Sequence, residues 1–331
     1  MLAPLTFHSP ARRRGLSAGV AALALIALPA WPADGPRPLR IVVPFPAGGT
    51  LDLLLRRLAE PLSATLQLPV IVDNRPGASG VLAARIVAQA PADGGTLLYL
   101  HSGLVTVQAM TGQLDLLNMF QPVARIHSSP YVLTLRGGLP YRSQAELFAA
   151  VQAQPGRFSF GSGGNGSPAH LLLALLAERV PGGLPLTHVP YKGGVEYVRG
   201  LLAGEVDVCF ALPGAVAEQV KTGRLRLLSV TGPTRLAQFP DLPTVAEAGV
   251  PGFHAEPWGG FAAPAGTPAA LVARLAAALR LAAEDPGVVA LLHDQGGRLD
   301  VSASPAEFSA ALRGQIEVDR SVVKRLGLSN N

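Results

Sequence analysis

Charge is scarce in this chain. Asp, Glu, Lys and Arg make up 15% of its 331 residues, against about 25% in an average soluble protein. Lysine is confined to Lys192, Lys221 and Lys324, and no basic cluster recurs after Arg12, Arg13 and Arg14, so the sequence argues against a nucleic-acid-binding face. Cysteine is scarcer still. The lone Cys209 excludes an internal disulfide, so the core must hold the fold; set in the apolar run VDVCFAL, it reads as a buried structural thiol. There is no G-x-S-x-G, H-E-x-x-H or Walker A loop and no Cys/His metal spacing, and the seven His are scattered singly.

What is present is apolar. At 49% hydrophobic residues the chain can bury a large core, which excludes wholesale disorder. Gly (37) and Pro (30) are plentiful without a G-X-Y period, so many turns must join short elements.

The net charge of +5 is mostly local. Arg12, Arg13 and Arg14 precede the uncharged run GLSAGVAALALIALPA (15–30) and a small-residue stretch, the pattern of a secretory signal rather than of a membrane span, which needs about 20 apolar residues. Residues 1–33 are expected to be a cleaved signal peptide, with cleavage after Ala30 or Ala33, by the general or the twin-arginine route. They contain three Arg and no acid, so +5 falls to +2 in the mature chain.

Beyond the leader, strand-length apolar runs alternate with segments of helical period, the signature of an α/β protein with mainly parallel sheets flanked by helices. Strands are expected at 39–44, 69–73 and 96–100, with helices at 51–66 and 81–89 between and after the first two. A second series runs from Tyr131: strands at 131–136, 157–160, 186–191, 206–210 and 225–230, alternating with helices at 143–153, 169–179, 195–202 and 215–221. Helices at 269–283, 287–295 and 305–325 close the chain. The expected organisation is two lobes, 34–134 plus 255–331 and 135–254, hinged like a clamshell.

Four loops at expected strand ends are rich in Gly and polar residues, where open α/β sheets bind ligands. PFPAGGTLD (44–52) brings Gly48 and Gly49 to a helix start that Thr50 and Asp52 can cap, and free N–H groups there attract anions. NRPGASG (74–80) and HSG (101–103) occupy equivalent places. GSGGNGSPAH (161–170) satisfies G-x-G-x-x-G, but the next strand ends without the acid that would hold a ribose, so we read it as a nest for a small anion. Asp207, in an apolar strand, reads as a structural acid.

The segments IVVPFPAGGTLD, VIVDNRPGASG, FGSGGNGSPAHLLLALL, PYKGGVEYVRGLLAGEVDV, LPTVAEAGVPGF and FAAPAGTP, in this order from about Pro38 to Leu328, resemble the Bug, or tripartite tricarboxylate transporter receptor, family of periplasmic solute-binding proteins. The resemblance implies a two-lobed Venus flytrap that closes on a small organic carboxylate without catalysis or cofactor, as a monomer, and passes it to a tripartite tricarboxylate-type membrane transporter or a sensor kinase. It places Phe45, Pro46, Ala47, Gly48, Gly49, Asp52, Asn74, Gly77, Ala78, His101 and Ser102 at the ligand from the first lobe. From the second lobe it places Gly161, Ser162, Gly163, Asn165, Ser167, His170, Tyr191, Lys192 and Gly193. Ala211 stands where family members commonly carry Asp, which favours a carboxylate without an amino group. Ala47, Ser79 and His101 replace Pro, Gly and a small polar residue. The rival reading is a secreted hydrolase or lyase using Asp52, His101 or His170 in the same cleft, which would need a positioned nucleophile or base.

Overall fold

The computed structural model describes residues 37–325 and 327–328; the expected signal peptide lies outside them. In chain order the elements are β1 (Leu39–Val43), α1 (Thr50–Leu66), β2 (Val70–Asn74), α2 (Val81–Ala88), β3 (Thr96–His101), α3 (Ser102–Thr111), α4 (Leu116–Met119) and β4 (Phe120–Ser128). They continue with β5 (Val132–Arg136), α5 (Gln144–Ala153), β6 (Ser159–Ser162), α6 (Pro168–Arg179), β7 (Thr187–Pro190), α7 (Gly194–Ala203), β8 (Val208–Ala211), α8 (Pro213–Lys221) and β9 (Leu225–Val230). The last are β10 (Trp258–Pro264), α9 (Ala269–Ala283), α10 (Pro286–Asp294), β11 (Arg298–Leu299) and α11 (Pro305–Arg325).

The strands form two sheets, ordered β11-β4-β10-β3-β1-β2 and β7-β6-β8-β5-β9. Most strands of each sheet point one way, but β10 runs antiparallel between β3 and β4, and β5 runs antiparallel between β8 and β9. The reversal follows from connectivity. The chain leaves β4 at its carboxyl end and enters β5 through residues 129–131; it leaves β9 at its carboxyl end and returns to β10 through residues 231–257. A strand entered from the edge where its neighbours finish must run against them.

Alternation of side chains decides which face each residue covers. In β8, Val208 and Phe210 join Phe160, Leu172 and Leu176 in one cluster, with Phe160 and Phe210 edge to face at 5.8 Å. Cys209 and Ala211 point the other way, onto Tyr197, Leu201 and Val216. The first sheet buries Val42, Leu98 and Ala262 with Ala84, Leu104 and Leu312. Burial pushes the Cys209 thiol well above its ordinary range, which leaves it unreactive. Asp207 accepts from Arg136 Nε at 2.8 Å, Ser159 N at 3.0 Å and Ser159 Oγ at 3.1 Å, which ties β5, β6 and β8 together.

β4, α3, α4, β10 and β11 were not expected from the sequence. β10 lies between the strand expected at 225–230 and the helix expected at 269–283, where the sequence suggested no element. Among the described residues no helix is long and apolar enough to cross a membrane.

Candidate functional site

A cavity of about 100 Å³ lies between the carboxyl ends of the two sheets, enough for several waters at about 10–15 Å³ each. Six helices begin on it: Thr50, Gly80 and His101 bring the starts of α1, α2 and α3, and Ser167, Gly193 and Leu212 those of α6, α7 and α8. Each start carries a partial positive charge and unclaimed N–H groups. Pro168 and Pro213 remove one donor each from α6 and α8. The starts of α1, α2, α7 and α8 have no side-chain cap, and those of α1 and α7 follow Gly49 and Gly193. These two starts come from opposite sheets and nearly touch: a Cβ on Gly49 would lie 3.4 Å from Val195 Cγ2, and one on Gly193 3.2 Å from Pro46 Cδ.

Asp52 organises the first loop. Its buried carboxylate accepts Gly48 N, Arg56 Nε and Asn74 Nδ2, each at 2.9 Å, and Asn74 Nδ2 also donates to Phe45 O at 3.1 Å. Burial alone would raise the Asp52 carboxyl, but the bonds from Arg56, Gly48 and Asn74 outweigh it and hold the acid below its ordinary value. Asp52 is therefore an ionised anchor with its acceptors already used.

The 77–80 loop is left-handed throughout, with φ of 140°, 47°, 51° and 97° at Gly77, Ala78, Ser79 and Gly80. Ala78 and Ser79 pay steric strain for this. Ser79 Oγ donates to Asn165 O at 2.8 Å, joining loops from the two sheets.

His101 ends β3 and caps α3, its Nδ1 accepting Gly103 N at 3.1 Å. That bond leaves the proton on Nε2. Burial depresses the imidazole to about 3, so the ring is neutral at physiological pH. Phe45 lies 4.8 Å from it, ring to ring.

In the 161–170 loop, Ser167 caps α6, and His170 Nδ1 accepts Gly166 N at 3.1 Å. His170 stacks on His188 at 4.2 Å, and His188 Nε2 meets Ser162 Oγ at 2.6 Å. Burial, with a smaller effect from His170, lowers His188 to about 4, too acidic for a strong general base at neutral pH.

Of the residues expected at the ligand, Phe45, Pro46, Gly49, Asp52 and Gly77 line the cavity from the first sheet's side, with His101. Gly163, Ser167, Lys192 and Gly193 line it from the second. Ser102 borders a smaller chamber beside it. The others stand outside the lining, for identifiable reasons. Gly48 turns the loop at φ 80° and gives its N–H to Asp52, with Ala47 just before it; Asn74 braces that loop from behind. Ala78 belongs to the left-handed turn. Gly161 is packed where a Cβ would meet Val206 at 3.1 Å, Ser162 and His170 hold their own loop, and Asn165 meets Ser79 through its carbonyl. Tyr191 turns to Glu205, donating to Oε2 at 3.1 Å.

The lining also takes residues beyond those placed individually at the ligand. Pro44, Thr50, Leu51, Ser79, Gly80, Pro168 and Ala169 lie inside the glycine loops read from the sequence, and Gly194 and Val195 open α7 just past Gly193. Tyr131, Tyr197, Leu212 and Ala215 carry no such signal. Among the described residues no group of three or more His, Cys, Asp or Glu could hold a metal ion.

The geometry is that of a solute-binding protein: loops and helix starts from two α/β sheets meet across a cavity. The tripartite tricarboxylate transporter family receptor model matches residues 54–328, and the chain belongs to that family, whose members are receptors rather than enzymes. A protein from the tcbD–tcbE intergenic region of Pseudomonas sp. strain P51 is 38% identical over 263 residues, 78% of each chain. The structure of the periplasmic binding protein BugD superposes with a TM-score of 0.82 at 30% identity, covering 89% of this chain and 99% of that one. Rpa4515 of R. palustris, solved with adipate, gives 0.82 at 32% identity, covering 89% and 99%.

Proposed function

We propose that the chain is exported to the periplasm after loss of residues 1–33, captures a small organic carboxylate between two lobes, and as a monomer presents it to a membrane transporter of the tripartite tricarboxylate type or to a sensor. The observation that carries this reading is the pair of uncapped helix starts at Gly49 and Gly193, one from each sheet, meeting at the cavity beside Lys192. N–H groups there offer a carboxylate charge-assisted hydrogen bonds without an arginine fork. The two chain crossings at 129–131 and 231–257 are the hinge in this reading, and the Ser79–Asn165 bond is a contact of the closed form. The bound adipate of Rpa4515 supports the ligand class. An amino group would find no free acid: Asp52 is the acidic residue lining the cavity among those described, and its oxygens are engaged.

A thermal-shift screen of carboxylates against the mature protein tests the reading. A true ligand at a hundredfold excess over its Kd adds about 2.7 kcal/mol of stability. Stabilisation by amines or sugars, with none by any carboxylate, would overturn it.

A further inference from the structure

A second chamber of about 30 Å³ opens beside the main cavity, and the two share Phe45, Leu51, His101, Tyr131, Pro168 and Leu212. Its volume corresponds to about two water positions, room for the end of a ligand rather than for a whole ring. The wall is largely apolar, with Trp258 and Pro257 added to the shared residues, and no Lys or Arg is among the described residues that line it. Three of its polar side chains are paired with one another: Tyr99 Oη with His127 Nε2 at 2.8 Å, and His127 Nδ1 with Ser129 Oγ at 3.3 Å.

His101 is the lining residue with a fully buried polar atom left unpaired. Its ring borders both chambers, Nδ1 is committed to Gly103, and Nε2 is buried without a partner. Only one other buried side-chain atom among the described residues is likewise unpartnered, Ser128 Oγ, and Ser128 lies between His127 and Ser129, both of which line the small chamber. A buried donor left unpaired costs stability, so a ligand that supplies an acceptor is favoured. A second carboxylate would enter an apolar chamber with no cation and bear the desolvation of a charge; an uncharged acceptor would not.

We propose that the chamber beside His101 selects a monocarboxylate whose far end carries an uncharged hydrogen-bond acceptor, such as a ketone, over a dicarboxylate of the same length. This rests on the carboxylate reading above and narrows it. His101 is then the specificity-determining donor, and Phe45, Tyr131 and Trp258 cover the ligand's apolar body.

Calorimetric titration with four matched sets of graded chain length tests it: methyl-ketone monocarboxylates, branched-alkyl isosteres with a methyl in place of the ketone oxygen, the isosteric dicarboxylates, and the corresponding keto alcohols. At the best-fitting length the keto acid is expected to bind about tenfold more tightly than both the branched acid and the dicarboxylate. His101→Asn keeps an oxygen able to cap α3 but lacks the reach of Nε2; it is expected to abolish the keto-over-alkyl ratio, which is read within the variant so that any change common to both acids cancels. His101→Gln, which carries an N–H to the Nε2 position, is expected to restore the ratio. Tighter binding of the dicarboxylate, or a ratio untouched by His101→Asn, overturns this inference and leaves the carboxylate reading intact. Keto alcohols binding as tightly as keto acids overturn the carboxylate reading itself, and an absence of binding throughout the panel contradicts both.

Discussion

Mild acid is expected to destabilise this protein, through two histidines buried neutral on β3 and β4, the strands either side of β10. His101 and His127 are held near 3 and 4 by burial, below the ordinary 6.5. Between the folded and unfolded values the unfolded chain binds the extra protons, so stability rises with pH there. The contribution is complete above about pH 6.5 and is lost as pH falls toward the folded values. Each histidine changes stability by about 1.36 kcal/mol per pH unit in that window. From pH 6.5 to 5.0 the loss is about 2 kcal/mol per residue and about 4 kcal/mol for both. For a domain of this size that lowers Tm by about 8 °C. Melting followed by circular dichroism at a series of pH values measures it, and His101→Asn and His127→Gln should each reduce the slope by a similar amount, leaving a smaller part from His188, which burial also lowers to about 4. A Tm that stays flat from pH 7 to 5, or a slope undiminished by both substitutions, would refute the assignment of these rings as acid-sensitive groups.

Three substitutions separate binding from folding. Ser79→Gly relieves a left-handed serine and deletes the bond to Asn165 O; ligand affinity should fall severalfold by calorimetry while the ligand-free Tm does not drop, and a lower Tm with unchanged affinity would contradict the closed-form role. Gly193→Ala puts a methyl 3.2 Å from Pro46 Cδ, so the loops must separate by a few tenths of an ångström; affinity is expected to weaken by about tenfold, with little change in Tm, and wild-type binding would show that this approach is not needed. Asp207→Ala removes the acceptor of Arg136 and Ser159 away from the cavity; chemical denaturation should show a loss of about 2 kcal/mol with affinity retained, and a binding defect at full stability would contradict its structural role.

The fold was legible where strands are apolar and loops carry glycine. β1, β3 and β8 read directly as runs such as RIVV, TLLYL and VCFA, and the helices after β1 and β8 showed in their spacing. β10 was not legible, because WGGFAAP has poor strand propensity. It is a strand because its neighbours leave no room for a side chain: a Cβ on Gly259 would lie 2.0 Å from Tyr99 Oη, and one on Gly260 2.5 Å from Ala124 O. Glycine here marks close backbone approach, information that exists only once β3 and β4 are in place. β4 was hidden by Pro122 and by the polar Gln121, Arg125 and His127. The glycine loops read from the sequence lie at the strand ends that border the cavity, but spacing could not say which residue faces inward. Asn74 and His170 brace their loops instead. Leu212 and Ala215 line the cavity from an apolar turn with nothing to single it out, and the partnerless Nε2 of His101 is visible only when the Gly103 bond is seen.

The central claim is that paired helix starts from the two sheets hold a carboxylate without transforming it. Isothermal titration of the mature protein with a carboxylate found by thermal shift, alongside its uncharged amide and alcohol counterparts, measures this directly, with the ligand recovered afterwards for chemical identification. The account predicts saturable one-to-one binding of the carboxylate, at least tenfold weaker binding of the neutral counterparts at roughly 1.4 kcal/mol per tenfold, and a ligand recovered unchanged. Equal binding of the neutral counterparts, or conversion of the ligand during incubation, would contradict it.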